Sequence, residues 1–200
     1  TVILAFDATG TVDNYVVELD VTPYISFKNM TIEAQDTTYA RVFVLKNGVH
    51  DFALLNNVIK TSNASVNADN NMALVLALDS IGANVNIQNN ILNNGSYALS
   101  LIGNSLASNW IVSNNMIHGH YARGIVLNHA IGAQIMNNDL KADTLSAFGG
   151  YLGIYLLSNS GSSIITKNKV LTTMTQYGYG IRVTTSIFDT ITPALIANNF

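Results

Sequence analysis

The stretch NVNIQNNILNNG, residues 84–95, alternates polar residues with Val85 and Ile87, presents the pair Asn89-Asn90, and resumes with Ile91 and Leu92. Alternation with a period of two marks a strand with one buried face. The phrase returns as FALLNNVI (52–59), WIVSNNMI (110–117), AQIMNNDL (133–140) and ALIANNF (194–200). Set in one column, the first asparagines are Asn29, Asn56, Asn89, Asn114, Asn137, Asn168 and Asn198, spaced by 27, 33, 25, 23, 31 and 30 residues. Uneven spacing with a constant motif suits coils whose loops vary while their strands stay in register.

The flanking columns agree. Two residues before the asparagine stand Phe27, Leu54, Ile87, Val112, Ile135, Thr166 and Ile196, and three after it Ile32, Ile59, Leu92, Ile117, Leu140 and Leu171. An upstream strand gives an inward column of Phe43, Leu76, Leu101, Ile125, Ile154 and Ile181, followed two residues later by Leu45, Leu78, Gly103, Leu127, Leu156 and Val183. No useful length shows helical periodicity. A coil of 23–33 residues cannot bury its own apolar face, but coils stacked about 4.8 Å apart form parallel sheets around one dry core. The expected fold is therefore all-β, a parallel β-helix of about seven coils occupying residues 1–200 as a single segment.

The asparagines fit this fold. A side chain that turns inward at a bend needs its amide paired, and stacked amides can pair with one another. Asparagine also tolerates the left-handed conformation of a tight bend. The first asparagine of each pair is expected to form the buried ladder, and the second position (Met30, Asn57, Asn90, Asn115, Asn138, Lys169, Asn199) the bend.

These phrases resemble the repeats of the pectin-lyase-like, right-handed parallel β-helix superfamily, the PbH1-type repeats. YISFKNMTIEA (24–34), YARVFVLKNG (39–48) and FALLNNVI also resemble long secreted surface proteins of Bacteroidota, often exported by type 9 secretion. The resemblance spans essentially the whole chain. It implies right-handed winding, in keeping with the general preference of parallel crossovers, a secreted or cell-surface location, and a segment of a longer protein. It does not choose a function, since the superfamily holds lyases, hydrolases, tailspikes and adhesins.

Composition narrows the field. Only 10% of the 200 residues are charged, against about 25% in an ordinary globular chain. A net charge of −3 with scattered Lys and Arg argues against nucleic acid, which calls for a concentrated basic surface. No apolar run reaches the roughly 20 residues of a membrane span. With no cysteine, disulfide scaffolds, thiolate metal sites and thiol catalysis are excluded.

Chemistry would have to come from outward residues on neighbouring coils. Asp20, Lys46 and Asp79 align after the upstream strand as acid, base, acid. Two β spacings would separate the carboxylates by about 10 Å, near the roughly 6.5–9.5 Å of an inverting glycosidase pair, but the intervening lysine neutralises both. The loop HGHYARG (118–124) offers His118, His120 and Arg123 for an anionic sugar or for proton transfer. Asp139 and Asp143 are a conceivable calcium pair, though no Asp-rich calcium repeat accompanies them. His50 and Asp51 share a turn, and His129 stands alone. A tyrosine column of Tyr39, Tyr97 and Tyr121, continued by Met72, Gly150 and Tyr177, would either stack on sugar rings or close the sheet edge. Asn29, Asn63 and Asn94 begin glycan-acceptor tripeptides, of which Asn29, as a ladder residue, is expected to be inaccessible. Finally, Val44, Ala77, Ile102 and Val126 would form an outward apolar stripe, the mark of a contact surface.

The expectation is a non-enzymatic structural or adhesive module in a filament or surface assembly. The alternatives are a polysaccharide lyase or hydrolase and a carbohydrate-binding module. No cofactor or metal is expected. Expected partners are flanking domains, other surface proteins, further copies of the chain or a polysaccharide.

Overall fold

A computed structural model describes residues 2–65, 67–142, 150–172, 177–188, 190–191 and 193–200. Three seven-stranded sheets, parallel throughout, wrap one core. Sheet A contains Val2–Phe6, Met30–Ala34, Val58–Ala64, Ile91–Gly95, Met116–His120, Asp139–Ala142 and Lys169–Leu171. Sheet B contains Val17–Asp20, Phe43–Lys46, Ala73–Ala77, Tyr97–Ile102, Arg123–Asn128, Tyr151–Leu157 and Gly178–Thr184. Sheet C contains Ile25–Lys28, Phe52–Leu55, Val85–Gln88, Ile111–Ser113, Gln134–Met136, Ile164–Thr166 and Leu195–Ala197. The chain visits B, C and A in turn and returns one coil higher, giving a parallel β-helix of about seven turns, consistent with the winding expected. Among the described residues no helix is long and apolar enough to cross a membrane.

The alternating residues fill the interior. Phe52, Leu54, Val85, Ile87, Val112 and Ile135 are fully buried from sheet C, with Trp110 just before its fourth strand, and Ile32, Ile59, Leu92, Ile117 and Leu140 from sheet A. Each large side chain removed from water stabilises the fold by roughly 1.5–3 kcal/mol. Phe27, Phe43 and Phe52 pack edge to face, with centroids 5.1 and 6.0 Å apart. The Trp110 indole N–H donates to the Gly82 carbonyl at 2.8 Å, so its one polar group is satisfied inside the core.

The asparagine pair works in the opposite order to that expected. Asn29, Asn56, Asn89, Asn114, Asn137 and Asn198 are exposed and hold φ between 54° and 58°; they are the bend between sheets C and A. The buried ladder is the second residue: Asn57, Asn90, Asn115, Asn138 and Asn168, each at most 2% exposed, with half-buried Asn199 closing it. Each bonded Oδ1 accepts both the backbone N–H and the side-chain amide of the asparagine one coil earlier. The second amide hydrogen goes to a carbonyl of sheet C, such as Phe27, Leu54, Ile87, Val112 or Ile135. A left-handed residue turns the backbone so that the next side chain enters the core, which is why the bend precedes the ladder. Met30 stands at the foot, its N–H bonded to Asn57 Oδ1 at 3.2 Å. Asn168 is a ladder member, but the bend of its coil is Lys167 (φ 57°). The inward residue there is accordingly Ile165, not Thr166, and its sheet A successor is Val170, not Leu171.

Sheet B also departs in register. Phe43 pairs with Val75, Val75 with Leu99, and Leu99 with Ile125. Leu76 therefore points outward, and Ala77 and Leu101 continue the inward set, where Leu78 and Gly103 were expected. Ala77 belongs to the core at 2% exposure and not to an outward stripe.

Candidate functional site

With the register fixed, the outward side chains of sheet B form a row: Glu18, Val44, Leu76, Ser100, Val126, Tyr155 and Arg182. Val44 and Val126 hold the row expected of them, joined by Leu76 in place of Ala77. All three are nearly or fully buried on the outward face, because neighbouring side chains and segments close over them. Ile102 lies in the adjoining row, beside Asn128 and Leu157, and is half-buried. Ala73, Leu76, Tyr97 and Ala122 make a small apolar cluster separate from the core, with Tyr121 against it.

Arginines are stacked on this face. The Arg123 guanidinium lies 4.3 Å from the Tyr97 ring centroid. Arg182 lies 4.7 Å from Tyr179 and 5.2 Å from Tyr155, whose hydroxyl shares a 2.8 Å hydrogen bond with Thr184 Oγ1. Such stacks contribute about 0.5–1 kcal/mol at exposed sites and hold the guanidinium flat against the ring. Among the described ion pairs neither arginine is matched with a carboxylate. Tyr155 and Arg182 are paired across neighbouring coils, and Tyr179 reaches the same guanidinium from the strand that carries it.

The sequence-derived constellations separate. Lys46 Nζ meets Glu18 Oε2 at 2.6 Å, and that hydrogen bond raises the lysine pKa. Asp20 accepts from Asn47 Nδ2 at 2.8 Å. The residue after Ala77 at the Lys46 level is Leu78, its N–H bonded to the Leu45 carbonyl at 3.0 Å. Asp79 falls one place further, exposed at the bend, so no acid–base–acid row exists.

The HGHYARG residues point three ways. His118 is outward on sheet A, its Nε2 3.6 Å from Asp139 Oδ2. A register shift between His118 and His120, with Gly119 at φ 72°, turns His120 inside. There it has no exposure and its Nε2 is 2.8 Å from the Tyr151 hydroxyl. Burial, aided by the charge of His118, pushes its pKa down to about 3; burial pushes the Tyr151 hydroxyl up. Arg123 lies on sheet B. The tyrosines separate too. Tyr121 N–H bonds to the Gly95 carbonyl, one column before Tyr97, while Tyr39 closes a turn on Asp36 Oδ1.

Asp139 lies between His118 and Lys169, and Asp143 lies outside the described residues. Among the described residues no three His or acidic groups gather as metal ligands do. His50 Nδ1 and Asp51 Oδ2 are 2.6 Å apart. Asp51 in turn accepts from Asn84 at 2.8 Å, and Asn84 from Asn109 at 3.0 Å. This outer ladder edges a groove of about 300 Å³ that reaches Ala53, Asn86 and Ile111. His129 is an exposed bend residue at φ 58°. Of the glycan-acceptor positions, Asn29 is exposed rather than inaccessible. Asn94 Nδ2 is held by the Thr61 carbonyl at 3.0 Å, and the Asn63 side chain lies outside the described set.

Comparison of the chain with protein-family models, curated proteins and solved structures returned no match.

Proposed function

We propose that this chain is an elongated, non-enzymatic structural or adhesive module of a secreted or cell-surface protein, of the pectin-lyase-like right-handed type its repeats resemble. The observation that carries the reading is the set of tyrosine–arginine stacks on the outer side of sheet B, Arg123 on Tyr97 and Arg182 on Tyr155 and Tyr179, carried on a rigid ladder-bonded rod. Tyr and Arg are the residue types enriched at contact surfaces. Acid–base catalysis requires groups converging on one bond, and Lys46, His120 and Arg123 are each engaged elsewhere. The test is incubation with pectate, alginate and neutral glycans, with and without calcium. Turnover abolished by Lys46→Ala or by His118→Ala would replace this reading with a lyase or hydrolase.

A second reading, a carbohydrate-binding module, is favoured by the Tyr97–Arg123 stack. Binding without turnover, lost in Arg123→Ala and Arg182→Ala, selects it.

A further inference from the structure

The bend that opens sheet C repeats one geometry on successive coils. Tyr24, Asp51, Asn84 and Asn109 hold φ of 58°, 51°, 60° and 57°, and the strands that follow them pair in register. The backbone N–H groups of Tyr24, Asp51 and Asn84 are bonded to carbonyls of the next coil. The side chains therefore project from a fixed edge, one β spacing of about 4.8 Å apart. They are open to solvent: Tyr24 is 78% exposed, Asn84 and Asn109 are exposed, and the Asp51 side chain keeps 26%. Their bonding capacity is not exhausted either. Asp51 accepts once at each oxygen, from Asn84 and from His50, and a carboxylate oxygen can accept again. Asn84 and Asn109 each donate one amide hydrogen to the row and keep the other.

Beside this row runs the groove of about 300 Å³ whose floor is Ala53, Asn86 and Ile111. These are the outward positions of three successive strands. The short Ala53 side chain leaves the depression, and half-buried Ile111 gives it an apolar patch. Asn86 is half-buried and takes part in no hydrogen bond among the described residues; its Oδ1 is buried without a partner. A half-turn of that amide exchanges oxygen and nitrogen without breaking any bond, so it can meet a donor or an acceptor from the groove. A polar group left unpaired in such a floor calls for a partner from outside the chain.

We propose that this groove binds a short segment of a neutral glycan. The inference deepens the adhesive reading and rests on it, naming the ligand class and placing it on sheet C rather than on the arginine stacks of sheet B. Hydroxyls both donate and accept, which suits a wall of carboxylate and amide groups. Ala53 and Ile111 suit the C–H face of a sugar ring. The Tyr24 ring, 5.7 Å from His50 and edge-on to it, continues the row with an aromatic surface. No Lys or Arg lines the groove, and the His50 hydrogen bond holds the Asp51 carboxyl below its ordinary range. The wall is therefore negative at neutral pH and disfavours uronates, sulfates and phosphates. An extended peptide would need a strand edge to pair with, and the backbone here is already bonded from coil to coil. Two strand spacings give about 10 Å of wall, and the volume lies at the small end of ligand pockets. A Kd on the order of 1 mM is expected, with firmer attachment where several copies meet one glycan.

The test is NMR of the isotopically labelled chain. Cellotetraose, mannotetraose or chitotetraose at about 10 mM, roughly tenfold above that Kd, should shift the side-chain amide resonances of Asn84, Asn86 and Asn109. Tetragalacturonate should not. Asn86→Leu breaks no hydrogen bond of the fold and should weaken the responding probe at least about fivefold, the loss of one good hydrogen bond. Ala53→Gln, which fills the groove, should abolish the response, with the rest of each spectrum confirming that the variant is folded. Silence of these amides toward all three neutral probes overturns the proposal. So does equal binding of tetragalacturonate, or unchanged binding by both variants. Shifts centred on Tyr97, Arg123 and Arg182 would move the glycan to sheet B, which overturns this site and leaves the adhesive reading standing. Cleavage of a probe removes the non-enzymatic reading, and this inference falls with it.

Discussion

Asn115 places its side-chain amide 2.9 Å and its backbone N–H 3.0 Å from the same atom, Oδ1 of Asn138. The other amide hydrogen goes to the Ile87 carbonyl at 2.8 Å, and Asn115 Oδ1 accepts twice from Asn90. All four side-chain hydrogen-bonding positions are used, in a site 2% exposed. Side-chain amides thus continue the backbone ladder through the corner where sheets C and A separate.

Asn115→Leu should destabilise the chain by at least about 3 kcal/mol. The backbone N–H and amide of Asn90 and the Ile87 carbonyl would lose partners inside the core, at about 1–3 kcal/mol each. Its neighbour gives the contrast. Asn114→Gly at the exposed left-handed bend should lie within about 0.5 kcal/mol of the parent, and Asn114→Val should lose about 1–2 kcal/mol. Urea denaturation of the three variants checks the assignment. Equal losses at 114 and 115 would contradict the division between bend and ladder.

The sequence displayed the coil but not the division of labour within each pair. In most coils both positions are asparagine, so composition cannot say which is buried. Two coils are informative: Asn29-Met30, whose apolar second position marks the inward side, and Lys167-Asn168, since a lysine is tolerated at an exposed bend and excluded from a dry ladder. The asparagine of the Lys167-Asn168 coil is its ladder residue, so the columns of that coil lie one residue earlier than a register set on the asparagine implies.

Sheet B shows a different limit. Residues 73–78, ALVLAL, are apolar on both faces, since Leu76 belongs to an outer cluster; alternation vanishes and a one-residue slip leaves no trace. At Tyr97–Ile102 the expected register was wrong by two residues, which preserves alternation and is equally silent. The same slips produced the false Asp20–Lys46–Asp79 row and placed Tyr97 in the column of Tyr121. The inward turn of His120 depends on a bulge, which a strand pattern does not announce.

Gly153→Ala should cost about 1–3 kcal/mol by overpacking. A Cβ there would come within 2.5 Å of both the Gly180 carbonyl oxygen and Val170 Cγ1. The carbonyl belongs to the next coil and cannot rotate away without breaking the parallel ladder. Gly10→Ala, with nothing within 4 Å of the added atom, is the control. Thermal unfolding that lowers both equally would argue against close coil-to-coil packing at Gly153.

Val21→Asn should raise stability by about 1 kcal/mol. Val21 holds φ 51°, a left-handed conformation that a β-branched residue adopts at a penalty. Its side chain is 69% exposed, so little burial offsets the strain. Asn47, on the next coil, has φ 50° at the corresponding bend and shows that asparagine is at home there. An unchanged or lower denaturation midpoint would mean that the valine is not strained.

Stability should decline as the pH falls from 6.5 toward 4.5, through His120. This imidazole is neutral in the fold because burial pushes its pKa down to about 3 from 6.5. Between those values the unfolded chain binds the proton and the folded chain does not, so stability is retained above 6.5 and lost with acidification at up to about 1.4 kcal/mol per pH unit. The Asp13, Asp36 and Asp51 carboxyls, held low by hydrogen bonds from Thr9, Tyr39 and His50, add their losses only as pH falls through the carboxylate range, below about 4. The two windows are therefore separable. Single replacement of His120 would strand the Tyr151 hydroxyl, so the informative variant is His120→Phe with Tyr151→Phe, which removes both polar partners and keeps both rings. Urea midpoints at pH 7 and pH 5 should differ in the parent and converge in the double variant. An equal drop in both would assign the acid sensitivity to another group.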